Sequence, residues 1–506
     1  MRRILQAFAT VALLLLSAEQ AAGFSLVGPR PPWQTPALGF ANETATFQGN
    51  GGPMNIHEEY RWNVPEIHYG YSAEFLAYFG QRGVDSIEEA VELMNGIGDV
   101  DSIELDDYPT ESGRMNLRAS ALGLTDLKSV ALSSLVQSRG LTDPTRYTFV
   151  IRNRWIANTV TNYLVTKRNF DPVTLQPSSF VNGSLWTYII QDPVPPTNYA
   201  WANNFPVDPL ERIFPRNLPV AGVDTFGIPP GFFWTQLTRD DVGGLKHIYR
   251  SSNFNTETAL GDVSGGGGGL GGTVGFPGGG GLLDFPSGSV GVGGGTYDFP
   301  FNTATNNVGG GGQGGGGLNN NLGGGLGANA GGGAFINPAL KGGFNRIQMI
   351  RTDYDSLVGV FFNPLTVRFT ETVLTNDRPR SQSLTRTVTQ PDIIFDAADL
   401  QGGEATAVFT PYNTPGAAGW NSSDGLDGVT GDDFGPGVIV PPFRITFNTV
   451  GPLYTNLVSS NAFFLTEGAI STQSIFNWGS FDGSTNDPVV YPVGSSILEL
   501  ERRVRR

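Results

Sequence analysis

Between Ser264 and Gly343 the chain carries 34 glycines in 80 residues, and this stretch constrains everything the rest can fold into. Glycine loses the most backbone entropy on ordering and has no side chain to bury. Only Asp284, Asp298 and Lys341 carry charge in the window. Such a segment cannot build a core and reads as a low-complexity linker, 264–343. Gly275-Phe276-Pro277, Asp284-Phe285-Pro286 and Asp298-Phe299-Pro300 place single aromatics among the glycines. These are either spacer or contact points for self-association. The window divides the chain into two stretches of domain size, 24–263 and 344–506.

The N-terminus reads Met1-Arg2-Arg3, then a mostly apolar run from Ile4 to Ala18, then Ala21-Ala22-Gly23. A basic start, a short apolar run and a small-residue exit mark a secretory signal peptide, expected over 1–23. The run falls short of the ~20 apolar residues of a membrane span. The mature chain is therefore expected without a transmembrane segment, secreted, periplasmic or at the cell surface. Cysteine is absent, which excludes disulfides, thiolate metal sites and thiol nucleophiles. An exported chain of this size without disulfides relies on core burial or ions, a combination that fits a bacterial source. A net charge of −15 argues against a nucleic-acid partner, which calls for a basic face.

The two stretches differ in pattern. In 24–263, Ser72–Gly80 has a helix start, apolar positions and a glycine stop. Ile87, Ala90, Val91 and Met94 share one helical face. Thr125-Asp126 opens a third helix running to Arg139-Gly140, and Thr238 with Asp241 forms a capping box for a fourth. Strand-like runs lie at 147–151, 161–166 and 185–190, so this stretch reads as an α+β domain. In 344–506, Val367–Val373 and Ser383–Val388 alternate at period two around Asn376-Asp377, a hairpin pattern. Phe443–Phe447 and Val489–Val493 are further strands, and Phe395–Leu400 is the one helical turn expected there. This stretch reads as a mainly β, sandwich-like C-terminal domain.

His57-Glu58-Glu59-Tyr60-Arg61 begins like the zinc-protease motif His-Glu-x-x-His, but Arg61 stands where the second imidazole is needed. It reads as a polar loop leading into a strand. Nearby, Asn63-Val64-Pro65-Glu66-Ile67-His68-Tyr69-Gly70-Tyr71 and Ile87–Asn95 resemble the first strand and first helix of matrixin-type metzincins. Leu237-Thr238-Arg239-Asp240-Asp241-Val242-Gly243-Gly244-Leu245-Lys246-His247-Ile248-Tyr249 is similar to the final helix of that family. The family keeps its zinc motif, His-Glu-x-x-His-x-x-Gly-x-x-His, between them. This chain has no histidine from 69 to 246. The resemblance thus implies a metzincin-like scaffold without its metal and carries over no catalytic residue.

Hard cations need six to eight oxygens, so clustered carboxylates were the remaining metal signal. Asp424, Asp427, Asp432 and Asp433, interleaved with Gly425, Gly428 and Gly431, form the best-spaced set, and calcium is the ion expected there. Asp99–Asp107 and Asp482–Asp487 are weaker acidic loops. Nucleophile-elbow and phosphate-loop motifs are absent. The expected function is that of an exported envelope or extracellular-matrix protein, acting by binding or self-assembly with a copy or an envelope partner, and leaning away from catalysis. The alternative is a secreted hydrolase, either a divergent metzincin-like peptidase or a carboxylate-based glycoside hydrolase, for which exposed tryptophans would supply sugar platforms.

Overall fold

Glu66–Tyr71 is buried on both faces from Ile67 onward, the pattern of a strand inside a parallel sheet. The computed structural model describes residues 22–28, 33–40, 53–192, 199–213, 216–222, 228–265, 336–354, 362–400, 406–413, 436–449 and 477–504. The elements used below are, in chain order, β1 (Glu66–Tyr71), α1 (Ala73–Asn95), α2 (Leu127–Gln137), β2 (Val150–Ala157), β3 (Val160–Thr166), β4 (Ser184–Gln191), β5 (Trp201–Pro206), α3 (Arg239–Tyr249), β6 (Asn255–Glu257) and β7 (Val263–Gly265). Beyond the glycine-rich segment follow β8 (Ala339–Lys341), β9 (Gln348–Arg351), β10 (Leu365–Thr375), β11 (Arg378–Val388), β12 (Ile393–Ala398), β13 (Thr406–Asn413) and β14 (Gly437–Asn448). The architecture is mixed α+β with several sheets. Among the described residues no helix is long and apolar enough to cross a membrane.

The two stretches on either side of the glycines do not form separate bodies. The main sheet runs β9-β1-β12-β14-β13. β1 lies parallel to β9, with Ile67 opposite Met349, and parallel to β12, with Tyr71 opposite Phe395. β14 continues the parallel run and β13 closes it antiparallel. A second, antiparallel sheet runs β6-β8-β10-β11-β7, again mixing strands from before and after the glycines. The expectation of an independent β sandwich over 344–506 is thereby corrected: its strands complete sheets begun by 24–263. The described residues of 22–265 and 336–504 fall in one compact unit. The expected linker also loses its ends, since β7 reaches Gly265 and β8 starts at Ala339. The signal peptide expected over 1–23 lies outside the described residues up to position 21.

Local chemistry explains the helices. The Ser72 hydroxyl accepts the Phe75 N–H and starts α1. Gly80, at φ +59°, ends the first segment as expected, but the helix resumes at once and α1 is kinked rather than split. Phe75 packs tilted against Phe447, and Phe79 meets both Phe447 and Trp478 edge-on, so α1 covers β12 and β14. Asn376 and Asp377 take left-handed backbone angles and join β10 to β11 as the hairpin expected. The helical turn expected at Phe395–Leu400 is instead the buried strand β12. Its apolar run Ile393-Ile394-Phe395 suits a central parallel strand, and periodicity alone cannot separate the two over six residues.

Buried charge pins the sheets together. Arg61 pairs with Glu257 and donates to the carbonyls of Ile248 (3.0 Å), Asn253 (2.8 Å) and Lys341 (2.9 Å). Arg386 on β11 pairs with Asp392 and with Asp262, and reaches the Glu66 carbonyl. Burial opposes ionising Asp392, but its bonds to His68 and the Arg386 guanidinium outweigh burial and hold it below the usual carboxylate range.

Two outcomes follow from this pairing. Expressed as separate chains in one cell, 24–266 and 335–506 should co-purify, and 344–506 alone should remain unfolded by circular dichroism; a folded, monomeric 344–506 fragment would contradict the shared sheets. The second concerns Asp126, which caps α2 by accepting the Ser129 N–H and hydroxyl. Burial raises its pKa to about 6, Ser129 and Lys128 opposing. The folded state therefore holds this proton better than the unfolded one, and its contribution to stability falls as pH climbs from about 4 to 6. Asp126→Asn should match the parent near pH 4 and exceed it at pH 7.5 by about 3 kcal/mol in urea unfolding; an equal difference at both pH values would be wrong for this account.

Candidate functional site

All three histidines lie outside any zinc-type helix, yet two of them meet. His57 sits in a turn with φ +68°, on the surface, and leads through Glu58 and Glu59 into the short strand Tyr60–Arg61. The loop reading of this segment is therefore retained. What the sequence did not reveal is the partner: His247, on the last turn of α3, is fully buried beside Glu59. Their nearest atoms, His247 Nε2 and Glu59 Oε1, stand 3.8 Å apart. The His57 and His247 rings are 5.8 Å apart between centroids. Asn253 links the group, its Oδ1 3.2 Å from His57 Nδ1 and its amide donating to Glu59 Oε1 at 2.9 Å. Asn255 donates to the same oxygen at 3.2 Å. Burial pushes His247 down to about 4, the Glu59 charge only partly opposing, so its ring is neutral at pH 7. Burial also works against an ionised Glu59, but the charge of His247 and the Asn253 amide overcome it and lower its pKa. Above pH 4, where His247 has lost its charge, the amides carry that role.

The metzincin resemblance places a zinc helix between the first and final helices, and α2 occupies that interval. Three residues past its end stands Gly140, φ +104°, where a Cβ would lie 2.3 Å from the Tyr60 carbonyl oxygen. Counted from that glycine, the spacing of the zinc motif falls on Ser133, Ser134, Gln137 and Asp143. All four are buried. The Gln137 amide donates to the Ala221 carbonyl at 3.0 Å, and Asp143 accepts the Thr145 N–H and hydroxyl. Asp241 of α3 holds the same turn, accepting the N–H groups of Val220 and Ala221 at 2.9 Å each. These polar groups fasten α2, the 220–222 turn and α3 to one another.

The carboxylate clusters divide by placement. Asp424, Asp427, Asp432 and Asp433, with the calcium expected there, lie outside the described residues. In the 99–107 loop, Asp99 accepts the Asp101 N–H, Asp101 accepts the Ser251 N–H, and Asp106 pairs with Arg239. Asp482 accepts the Ser484 N–H and Asp487 pairs with Arg118. Asp99, Asp101, Asp106, Asp482 and Asp487 are thus each spent on a protein donor. Among the described residues no group of three or more His, Asp or Glu side chains could hold a metal ion.

The surface carries a different signal. β2–β3 and β4–β5 are two hairpins tied by Arg154 on β2 and Tyr163 on β3, which both donate to Asp192 at the end of β4. Even-numbered residues of β4–β5 face inward: Tyr188 packs on Phe149 with centroids 4.6 Å apart, and the Asn204 amide donates to the Phe149 carbonyl. The opposite face then presents Leu185, Thr187, Ile189, Asn203, Phe205 and Val207, none of them charged. Ile189 is 58 % exposed and Val207 50 %. At the tip of β2–β3, Ile156 is 67 % exposed and Val160 60 %. The run Leu185–Ile190 reads in the sequence only as a strand; the tertiary fold shows that one of its faces is open.

A cavity of about 540 Å³ opens at the C-terminal ends of β1 and β9, beside Tyr71, Arg351 and Tyr354. Its one cationic wall, Arg351, already pairs with Glu88. Compared with known proteins, the chain matches no family model, no curated protein and no solved structure.

Proposed function

We propose that this is an exported protein that works by binding, through self-association of the open face of β4–β5, and not by catalysis. The observation that carries the reading is the uncharged, apolar outer face itself. Soluble monomers rarely expose contiguous apolar surface of this kind, and such patches mark interaction sites. A second copy is the occupant argued for. An antiparallel hairpin can meet its own twofold mate with the same residues on both sides. A patch without charge also avoids the repulsion that a net −15 imposes elsewhere on two copies. Arg212, 4.0 Å over the Phe205 ring, is the cation at its rim.

The arrangement of α2 supports the non-catalytic part of the reading. Ser133, Ser134, Gln137 and Asp143 stand at the spacing of a zinc-protease motif but are buried, with Gln137 bonded to the Ala221 carbonyl and Asp143 to Thr145. Export is supported by the N-terminal pattern of charge, apolar run and small residues.

Sedimentation velocity on the purified chain tests the proposal. The parent should show a concentration-dependent dimer or larger species, and Ile189→Lys with Val207→Lys should sediment as monomer with an unchanged melting temperature. A parent that stays monomeric at tens of micromolar, or an oligomer that survives both substitutions, would rule out this face.

A further inference from the structure

We propose that Lys341 and Glu371 join in an isopeptide bond, a covalent cross-link between β8 and β10 that the folded chain forms by itself. Three observations point there. The first is proximity without a hydrogen bond. Lys341 Nζ and Glu371 Oε2 stand 3.1 Å apart, each side chain 2 % exposed. Yet neither atom has a hydrogen-bond partner. Buried groups left in that state are rare in folded proteins and ask for an explanation. The carboxyl carbon lies at most one C–O bond, about 1.2 Å, beyond Oε2. The amine thus starts close to the separation of about 3–3.5 Å from which addition proceeds. The second is register. Lys341 lies opposite Val373 on β10, two residues from Glu371. Such diagonal neighbours stand about 7–8 Å apart along the backbone, within reach of two long side chains.

The third is the surroundings. Gln382, opposite Glu371 on β11, donates its amide to Glu371 Oε1 at 2.5 Å. That bond fixes the carboxyl, leaves Oε2 as the oxygen toward the lysine, and stabilises negative charge gathering on Oε1 during addition. Glu257 on β6 is the other buried carboxyl that acts on Lys341, but it is spent on Arg61. Glu371 is therefore the acid left to answer the amine. The step balances without a co-reactant. The Lys341 ammonium passes one proton to Glu371 Oε2, giving a neutral amine and a neutral acid, the forms that a buried site favours over two charges. Nζ then attacks the carboxyl carbon. The Nζ–C bond forms, the C–Oε2 bond breaks, and Oε2 leaves as water with its own proton and one from the amine. Exclusion of water from the pair protects the product from hydrolysis. The bond needs neither a thiol nor an oxidant, in a chain that has no cysteine.

The test is mass spectrometry of the purified full chain, denatured and digested with trypsin. The expected result is no cleavage after Lys341. Residues 369–380 should be recovered joined to the peptide that ends at Arg346, the pair lighter by one water than the sum of its parts. Lys341→Arg keeps the positive charge but offers no amine to acylate. It should leave the circular dichroism unchanged and release 369–380 as a free peptide. The parent digest decides by itself if that variant does not fold. Cleavage after Lys341 with 369–380 free in the parent would show an ion pair only and overturn the proposal, as would a joined peptide that survives Lys341→Arg.

Discussion

The fold depends on one long-range act of pairing. β1 is an inner strand of the main sheet, and both its neighbours come from beyond the glycine-rich segment. It cannot bury either edge until β9 and β12 arrive, roughly 280 and 320 residues later in the chain. Parallel pairing over such separations is slow and rewards the chain only at the end, because loop closure must precede the contacts. A glycine-rich connection suits that task, since the cost of closing a loop grows only slowly with its length. The ends of the segment are strands of one antiparallel sheet, which brings β8 beside β6 and leaves β7 on β11.

Charge burial then makes the pairing specific. Arg386 reaches from β11 to the backbone of β1 and to Asp392 at the head of β12, while Arg61 joins its own strand to β6 and β8 through Glu257 and the Lys341 carbonyl. Lys341 and Glu371 form a third fully buried pair, 3.1 Å apart, between β8 and β10. Pairs of this kind contribute little net energy, but breaking one by removing a single partner typically costs about 3–5 kcal/mol. They tie strands from both sides of the glycines into one register.

Much of the local structure was legible in the sequence. The capping serine at 72, the glycine stop at 80, the Asp126 start of α2, the Thr238–Asp241 box and the Asn376-Asp377 hairpin all act through neighbours within a few residues. Such short-range chemistry leaves a local mark. The partition into two bodies misled because composition reports where a chain cannot pack, not which of its flanks pack together. β12 misled because a six-residue apolar run has no period to read. The His57–Glu59–His247 group was invisible for the same reason as the sheet: His57 and Glu59 stand about 190 residues from His247, and the unmatched fifth position of His57-Glu58-Glu59-Tyr60-Arg61 pointed away from them. The open face of β4–β5 had no signature either, since a strand run apolar on both sides does not tell which face stays open.

Hydrogen exchange on the intact chain tests the shared sheet most directly. If β1 and the strands after the glycines form one cooperative structure, the amides of Ile67–Tyr71, Met349–Arg351, Ile393–Ala397 and Phe443–Phe447 exchange only through the same global opening, with one free energy and one dependence on denaturant. A set of β12 and β14 amides that opens at its own free energy and denaturant dependence, while β1 stays protected, would show two bodies and contradict the account.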